Sequence, residues 1–288
     1  ALQPEISPEY LKRIPVPILN KELIEEVENL FLKAQDLFKE SENLYFQAES
    51  LLLSELGLQN FKPKEELFYE VSLSETSTIH RIDAEYFNPS YDEVINKIKN
   101  YKNGYGKLLT FAENIKPNFD PQKFPEKTFS YVELADIDAS IGIIQSSTNI
   151  IGEEAPSRAK RILKKNDVIV SSVEGSLEKV ALVDKQFEGS LASTGFFQFS
   201  PKNILPEVLL ILSKSPILQS QLKKECAGTI LTAVPKEALK NLIIPILPKQ
   251  TQQKIAELVQ ESHKARRKAK QLLEEAKKKV EEEIEKQQ

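Results

Sequence analysis

Apolar positions along this chain keep two different periods. Near both ends they recur three and four apart, the spacing of one face of a helix. In the first long segment Val27, Ala34, Ser41 and Ala48 stand seven apart, flanked by the large apolar pairs Leu30/Phe31, Leu37/Phe38, Leu44/Tyr45 and Leu51/Leu52. The last segment answers it. Setting Pro17-Ile18-Leu19 on Pro245-Ile246-Leu247 gives an offset of 245 − 17 = 228, which carries the four seam positions to Ile255, Ser262, Ala269 and Ala276. All but Val27 and Ile255 are small. Small residues in a row every seven positions let two helix backbones approach closely. Each copy thus predicts a Pro-bracketed extended stretch followed by a helix of roughly 36 residues, about 54 Å long at 1.5 Å per residue. One helix enters the centre of the chain and the other leaves it, so the pair is expected to be antiparallel.

Between the copies the period changes to alternation. Thr128–Leu134 reads as a half-buried strand, Asp167–Ser172 as a mostly buried one, and Val180–Val183 and Gly195–Phe199 as two more. Turn residues separate them at Gly142, Asn166-Asp167, Gly175-Ser176 and Glu188-Gly189-Ser190. A helix from about Tyr91 to Tyr101 follows Asn88-Pro89, and another opens at Leu205-Pro206 and runs towards Gly228. The expected fold class is α+β: a mixed-sheet domain over 59–234 carried on a two-helix coiled coil built from 1–58 and 235–288.

Composition removes several functions from consideration. The chain has 288 residues, a net charge of −4 and a pI near 5.6, a balance unlike that of a protein that coats DNA without regard to sequence. A single cysteine, Cys226, excludes an internal disulfide and fits a reducing compartment. No apolar run is long enough for a bilayer and ALQPEISPEY is unlike a signal peptide, so a cytoplasmic location is expected. Methionine is absent, initiator included, which suggests that Ala1 is not a natural start. Glu42–Ala48 matches the tobacco etch virus protease site, yet it supplies Leu44, Tyr45 and Ala48 to the heptads and reads as helix.

Catalytic constellations find little support. His80 and His263 are the only histidines, Cys226 has no CxxC partner, and neither GxGxxG nor GxxxxGK[ST] occurs. Glu133, Asp136 and Asp138 read as solvated strand-end carboxylates, and no metal site is expected. Binding has better candidates. Five positive charges fall within Arg158–Lys165; Arg158, Lys160 and Arg161 are placed to neutralise phosphate or reach a guanine edge, against a solvated turn as the plainer reading. Ser172, Glu174, Ser176 and Lys179 lie on a polar hairpin tip, where hydroxyls and an ammonium suit a groove and a carboxylate can accept from a cytosine amino group. Lys116 and Asn118 lie on a third loop. A helical scaffold that binds only protein is the competing class.

Several phrases together resemble the specificity subunit of type I restriction-modification systems. They are Arg81–Phe87, Tyr131–Asp138, Leu163–Ser172, Ala192–Phe196, Gly228–Leu231 and Ile244–Pro248 with Gln250. The resemblance covers nearly the whole chain. It implies a non-catalytic DNA-recognition subunit whose domain reads one half of a split site. Its helices would space the recognition domains and dock methyltransferase subunits, with a motor-nuclease subunit joining them. No cofactor is implied on this chain, S-adenosylmethionine being expected on the methyltransferase. The usual order in that family has two recognition domains; this chain has one between two helical regions. A monomer, with a helix-swapped dimer as the minor species, is the expected state.

Overall fold

The computed structural model describes residues 7–14, 16–62, 66–227 and 232–286. The Gly228–Leu231 phrase lies outside them. The elements run α1 (Pro8–Leu11), α2 (Lys21–Glu55), α3 (Leu73–Ile79), α4 (Pro89–Lys99), β1 (Tyr105–Lys107), α5 (Leu108–Phe111), β2 (Ala112–Asn114), β3 (Thr128–Val132), β4 (Ile137–Asp138), β5 (Ile143–Ile144) and β6 (Thr148–Ile151). They continue with β7 (Ala159–Ile162), β8 (Val168–Ser171), β9 (Val180–Leu182), β10 (Leu191–Ser193), β11 (Phe196–Pro201), α6 (Pro206–Lys214), α7 (Pro216–Glu225), β12 (Ile243–Pro245) and α8 (Lys249–Lys286). Contacts divide the chain into two units, Ala1–Ser41 with Lys264–Gln288, and Glu42–His263. That division falls inside α2 and α8, whereas the sequence division at 58/59 and 234/235 follows the repeats.

The first unit is an antiparallel helix pair. Lys279 Nζ reaches a Glu26 carboxylate oxygen at 2.9 Å and the Arg266 guanidinium lies 4.9 Å above the Phe38 ring, so positions rise along one helix as they fall along the other. Ala34 and Ala269 are fully buried in one cluster with Leu272, closed over by Leu30, Leu37, Phe38 and Leu273. This is the arrangement the seven-residue row predicts: a close backbone approach with large side chains on its flanks. Ser41 is fully buried, Ala276 is buried and Val27 is half-buried. At the start of α2 the Asn20 side chain accepts from the Leu23 amide at 2.8 Å, taking one of the unpaired N–H groups of the first turn.

In the second unit the same two helices remain antiparallel. Tyr45 stacks on His263 with ring centroids 6.4 Å apart, and Thr251 Oγ1 donates to Glu55 at 3.4 Å. Ala48, Ile255 and Ser262 are fully buried. Helix α2 stops at Gly57, whose φ of +65° is a conformation that favours glycine.

Three sheets build the rest of this unit: β1-β12; β6-β3-β10-β7; and β2-β11-β8-β9-β5-β4, with parallel pairs at β10/β3 and β5/β9 and antiparallel pairs elsewhere. The six-stranded sheet is covered on both faces. Val168, Val170, Val180, Phe197 and Phe199 face a core that includes α6, while Ile169, Ala181 and Phe196 face a second core shared with Val132, Leu163 and Ala192 near the four-stranded sheet. Burial on both faces is why β8 shows an apolar run rather than alternation. Helix α6 is buried all round, from Val208 to Leu212. A Cβ at Gly142, whose φ is +66°, would come within 2.7 Å of Leu210, so the β4–β5 turn lies against that helix.

The helix expected from Pro206 towards Gly228 is two helices. Ser215 is extended (φ −74°, ψ 161°) because the ring of Pro216 disfavours the helical conformation in the residue before it, and α7 restarts with Pro216 in its first turn. The four strands expected from alternation are present as β3, β8, β9 and β11.

Candidate nucleic-acid interface

Loop 115–119 is anchored at both ends. The Ile115 amide donates to the Gln198 carbonyl on β11 at 2.8 Å, and the Phe119 amide donates to the Lys160 carbonyl on β7 at 3.1 Å. Phe119 then stacks on Phe124 with centroids 5.8 Å apart and meets Phe129 edge-on, joining a small core with Tyr131, Ala155, Ala159 and Leu191. A Cβ at Gly152 would fall 2.0 Å from the Phe124 carbonyl oxygen, so only glycine allows the 121–124 turn to settle there. What remains outside is the tip: Lys116, Pro117 and Asn118 are exposed, next to exposed Lys160 and, two residues earlier, exposed Arg158.

The expected contact residues separate into two groups. Lys116, Asn118, Arg158 and Lys160 are solvent-facing, and the Phe119–Lys160 bond brings the loop tip beside β7. Arg161 is not with them. It is 5% exposed, its Nη1 donates to the Ile115 carbonyl at 2.6 Å, and burial lowers its pKa to about 10. The cause is register: Arg161 pairs with Ala192 but Ala159 pairs with Ser193, so the ladder slips at Lys160. Such a bulge turns the residues on its two sides to opposite faces. Ala159 joins the outer core, and Arg161, beside Ala192 of the inner core, turns inwards. The expectation that Arg161 neutralises phosphate or reaches a guanine edge is corrected by this burial.

The hairpin tip between β8 and β9 is present but engaged. Ser172 Oγ donates to the Gly195 carbonyl at 2.9 Å, Ser176 Oγ lies 3.0 Å from Ser171 Oγ, and Lys179 Nζ donates to the Ile137 carbonyl at 2.9 Å. The Glu174 amide donates to the Thr232 carbonyl at 3.0 Å, and Val173 forms a bridge with Ala233. All four candidates here are half-buried. The Thr194-Gly195 turn adjoins both groups, its Thr194 amide donating to the Arg158 carbonyl and its Gly195 carbonyl accepting from the Ser172 amide.

Lys127 is a further cation set among aromatic rings. Lys127 Nζ lies 5.1 Å from the Phe129 ring centroid and 5.9 Å from that of Phe124. The spacing of Phe119, Phe124, Lys127 and Phe129 is its signal in the sequence. The carboxylates of Asp136 and Asp138 serve turns, accepting from the Glu133 amide at 2.8 Å and the Ser140 amide at 3.0 Å. Cys226 is buried, which pushes its thiol up to about 11. Among the described residues no group of His, Cys, Asp and Glu is arranged to hold a metal, and no helix is long and apolar enough to cross a membrane.

Arg81–Phe87 proves to be a brace. Arg81 forms a forked pair with Asp83 (2.8 and 2.6 Å), donates to the Cys226 carbonyl at 2.7 Å just past α7, and packs 4.3 Å from the centroid of Tyr86.

The family model for the type I restriction modification DNA specificity domain matches residues 118–278, more than half of the 288. The type I restriction enzyme HindI specificity subunit of Haemophilus influenzae is 24% identical over 156 residues, covering 53% of this chain and 33% of that protein. The crystal structure of the HsdS subunit from Thermoanaerobacter tengcongensis aligns with a TM-score of 0.49 at 31% identity, over 62% of this chain and 46% of that one. A chain from work on complex assembly and conformational transition of the type I R-M system aligns with a TM-score of 0.48 at the same identity and coverage. The chain thus spans about a third of the curated relative and about half of these solved chains. On the match over 118–278, the chain belongs to the type I restriction-modification DNA specificity family.

Proposed function

We propose that this chain is the part of a type I specificity subunit that reads one half of a bipartite DNA sequence, without catalysis of its own. The observation that carries this reading is the face formed by Lys116, Asn118, Arg158 and Lys160: exposed polar and cationic side chains on backbone fixed to two strands. Cations so placed neutralise phosphates and position the protein, while an amide such as Asn118 pairs with two atoms of an adenine edge. The helix pair docks the methyltransferase subunits, which carry S-adenosylmethionine, and the motor-nuclease subunit joins through that complex in the cytoplasm.

The repeat supports a second recognition domain. An apolar groove of about 680 Å³ in the helix pair is lined by Leu19, Ile24, Val27, Phe31, Ala276 and Val280. Shifted by 228, these become Leu247, Gln252, Ile255, Val259, Ala48 and Leu52, of which all but Gln252 lie in the core that holds α6. In the extended segments Ile244 is fully buried, whereas Val16, its equivalent, is 80% exposed. A domain of the same kind therefore fits the groove.

The test is duplex binding over a salt series, with the chain alone and with its methyltransferase, followed by methylome sequencing of cells expressing both. Sequence-preferring, salt-dependent binding and methylation at one split motif are expected; a helical scaffold would give neither.

A further inference from the structure

Four of the five cations in Arg158–Lys165 are exposed, and the fifth, Arg161, lies under loop 115–119, which Lys160 borders. Arg161 gives one 2.6 Å bond to the Ile115 carbonyl, and its Nε has no hydrogen-bond partner among the described residues. A guanidinium 5% exposed with one carbonyl partner is an expensive way to fill space, since a charge needs several partners to replace its hydration. An aliphatic side chain would fill the place at less cost. What the guanidinium adds is a hold on the loop. Ile115 is tied through its amide to β11 and through its carbonyl to Arg161, and Phe119 is tied to β7, so Lys116-Pro117-Asn118 is clamped at both ends. The β-bulge at Lys160 makes this geometry: it turns Lys160 outwards beside the tip and Arg161 inwards beneath it.

We infer that Arg161 is a positioning residue for DNA reading, fixing loop 115–119 so that Lys116 and Asn118 stand beside Lys160, and that it makes no DNA contact itself. This rests on the DNA-reading function proposed above, and the two are tested separately.

The experiment compares the parent chain with Arg161→Met, Arg161→Lys and Lys160→Ala. The probes are the duplex selected by the parent from a randomised pool and a random-sequence duplex. Affinity over a salt series and amide hydrogen exchange are read together. For Arg161→Met, exchange at the Phe119 amide should rise about tenfold while β8 stays protected, and affinity for the selected duplex should fall about tenfold, as for one lost charge-assisted hydrogen bond. Because Lys116 keeps its charge on the loosened loop, affinity for the random duplex and the salt slope should fall by less than in Lys160→Ala. Lys160→Ala should instead lower the slope by about one unit. Arg161→Lys should recover part of the loss, and it replaces the Met variant under the same two readouts if β8 also loses protection. Unchanged exchange at Phe119 overturns the inference, as does a slope lowered by one unit in Arg161→Met. A parent that prefers no duplex refutes the DNA-reading function itself, whatever Arg161 does to the loop.

Discussion

Lys279 pairs with Glu26 across the helix pair, Nζ to carboxylate oxygen at 2.9 Å. An exposed ion pair of this kind reports register more than it stabilises. The stability lies in the seam, where Ala34 and Ala269 are fully buried. Ala34→Phe or Ala269→Phe places a ring where two backbones approach, at a cost of about 1–3 kcal/mol from overpacking. Denaturation followed by far-ultraviolet dichroism should show the helix signal melting earlier, while the amides of β8 keep their protection. Docking of the methyltransferase should weaken in the same variants. Unaltered melting would refute the seam.

Lys116, Arg158 and Lys160 should each carry one phosphate contact. Alanine at each is expected to lower the slope of log affinity against log salt by about one unit, nearly equally for every duplex. Asn118→Ala should behave differently, costing roughly 1–3 kcal/mol on the preferred duplex and relaxing the preference at one base pair. A triple variant of the three cations with the parent's slope would place the DNA face elsewhere.

How far the sequence discloses this site is visible in β7. The charges of Arg158–Lys165 are legible, and so is the strand of Asp167–Ser172 that follows, because an apolar run declares itself. Which cation turns inwards is not legible. Arg161 is buried because the pairing with β10, some thirty residues along the chain, slips at Lys160 opposite Ala192 and Ser193. Strands of two to four residues such as β4, β5 and β7 are also too short to show a period. The helix pair was readable for the opposite reason: its seam recurs in two registered copies. Its end at Gly57 and the break at Ser215-Pro216 depend on single residues that a periodic pattern does not weigh.

Asp167 gives a pH test of the inner core. Its carboxylate is buried, accepting from Gln198 Nε2 at 2.6 Å, and burial raises its pKa above the ordinary 3.8. An acid whose folded pKa is raised binds more protons folded than unfolded, so its contribution to stability falls as pH rises from the unfolded pKa to the folded one. Asp167→Asn removes the titration and leaves an amide oxygen for Gln198. Relative to this variant, the parent should lose melting temperature as pH rises through that window, and the difference should level off above it. A difference that is constant with pH would mean that the carboxyl is not desolvated.

The state of assembly follows from which surfaces the chain covers by itself. Because α2 and α8 of one chain close the seam, no second copy is needed to bury Ala34 and Ala269, and light scattering should find a monomer. The apolar groove pulls the other way, with Ile24 49% and Phe31 48% exposed. Exposed patches of this sort favour association. If a dimer forms at low micromolar concentration, Phe31→Asp separates its two origins. A dimer joined through the groove should dissociate, since a carboxylate would be desolvated in an apolar contact. A dimer that exchanges helices should persist, because its seam residues are untouched. Persistence would remove the self-closed helix pair from the description and replace it with two heads on shared helices, an arrangement suited to a symmetric split site.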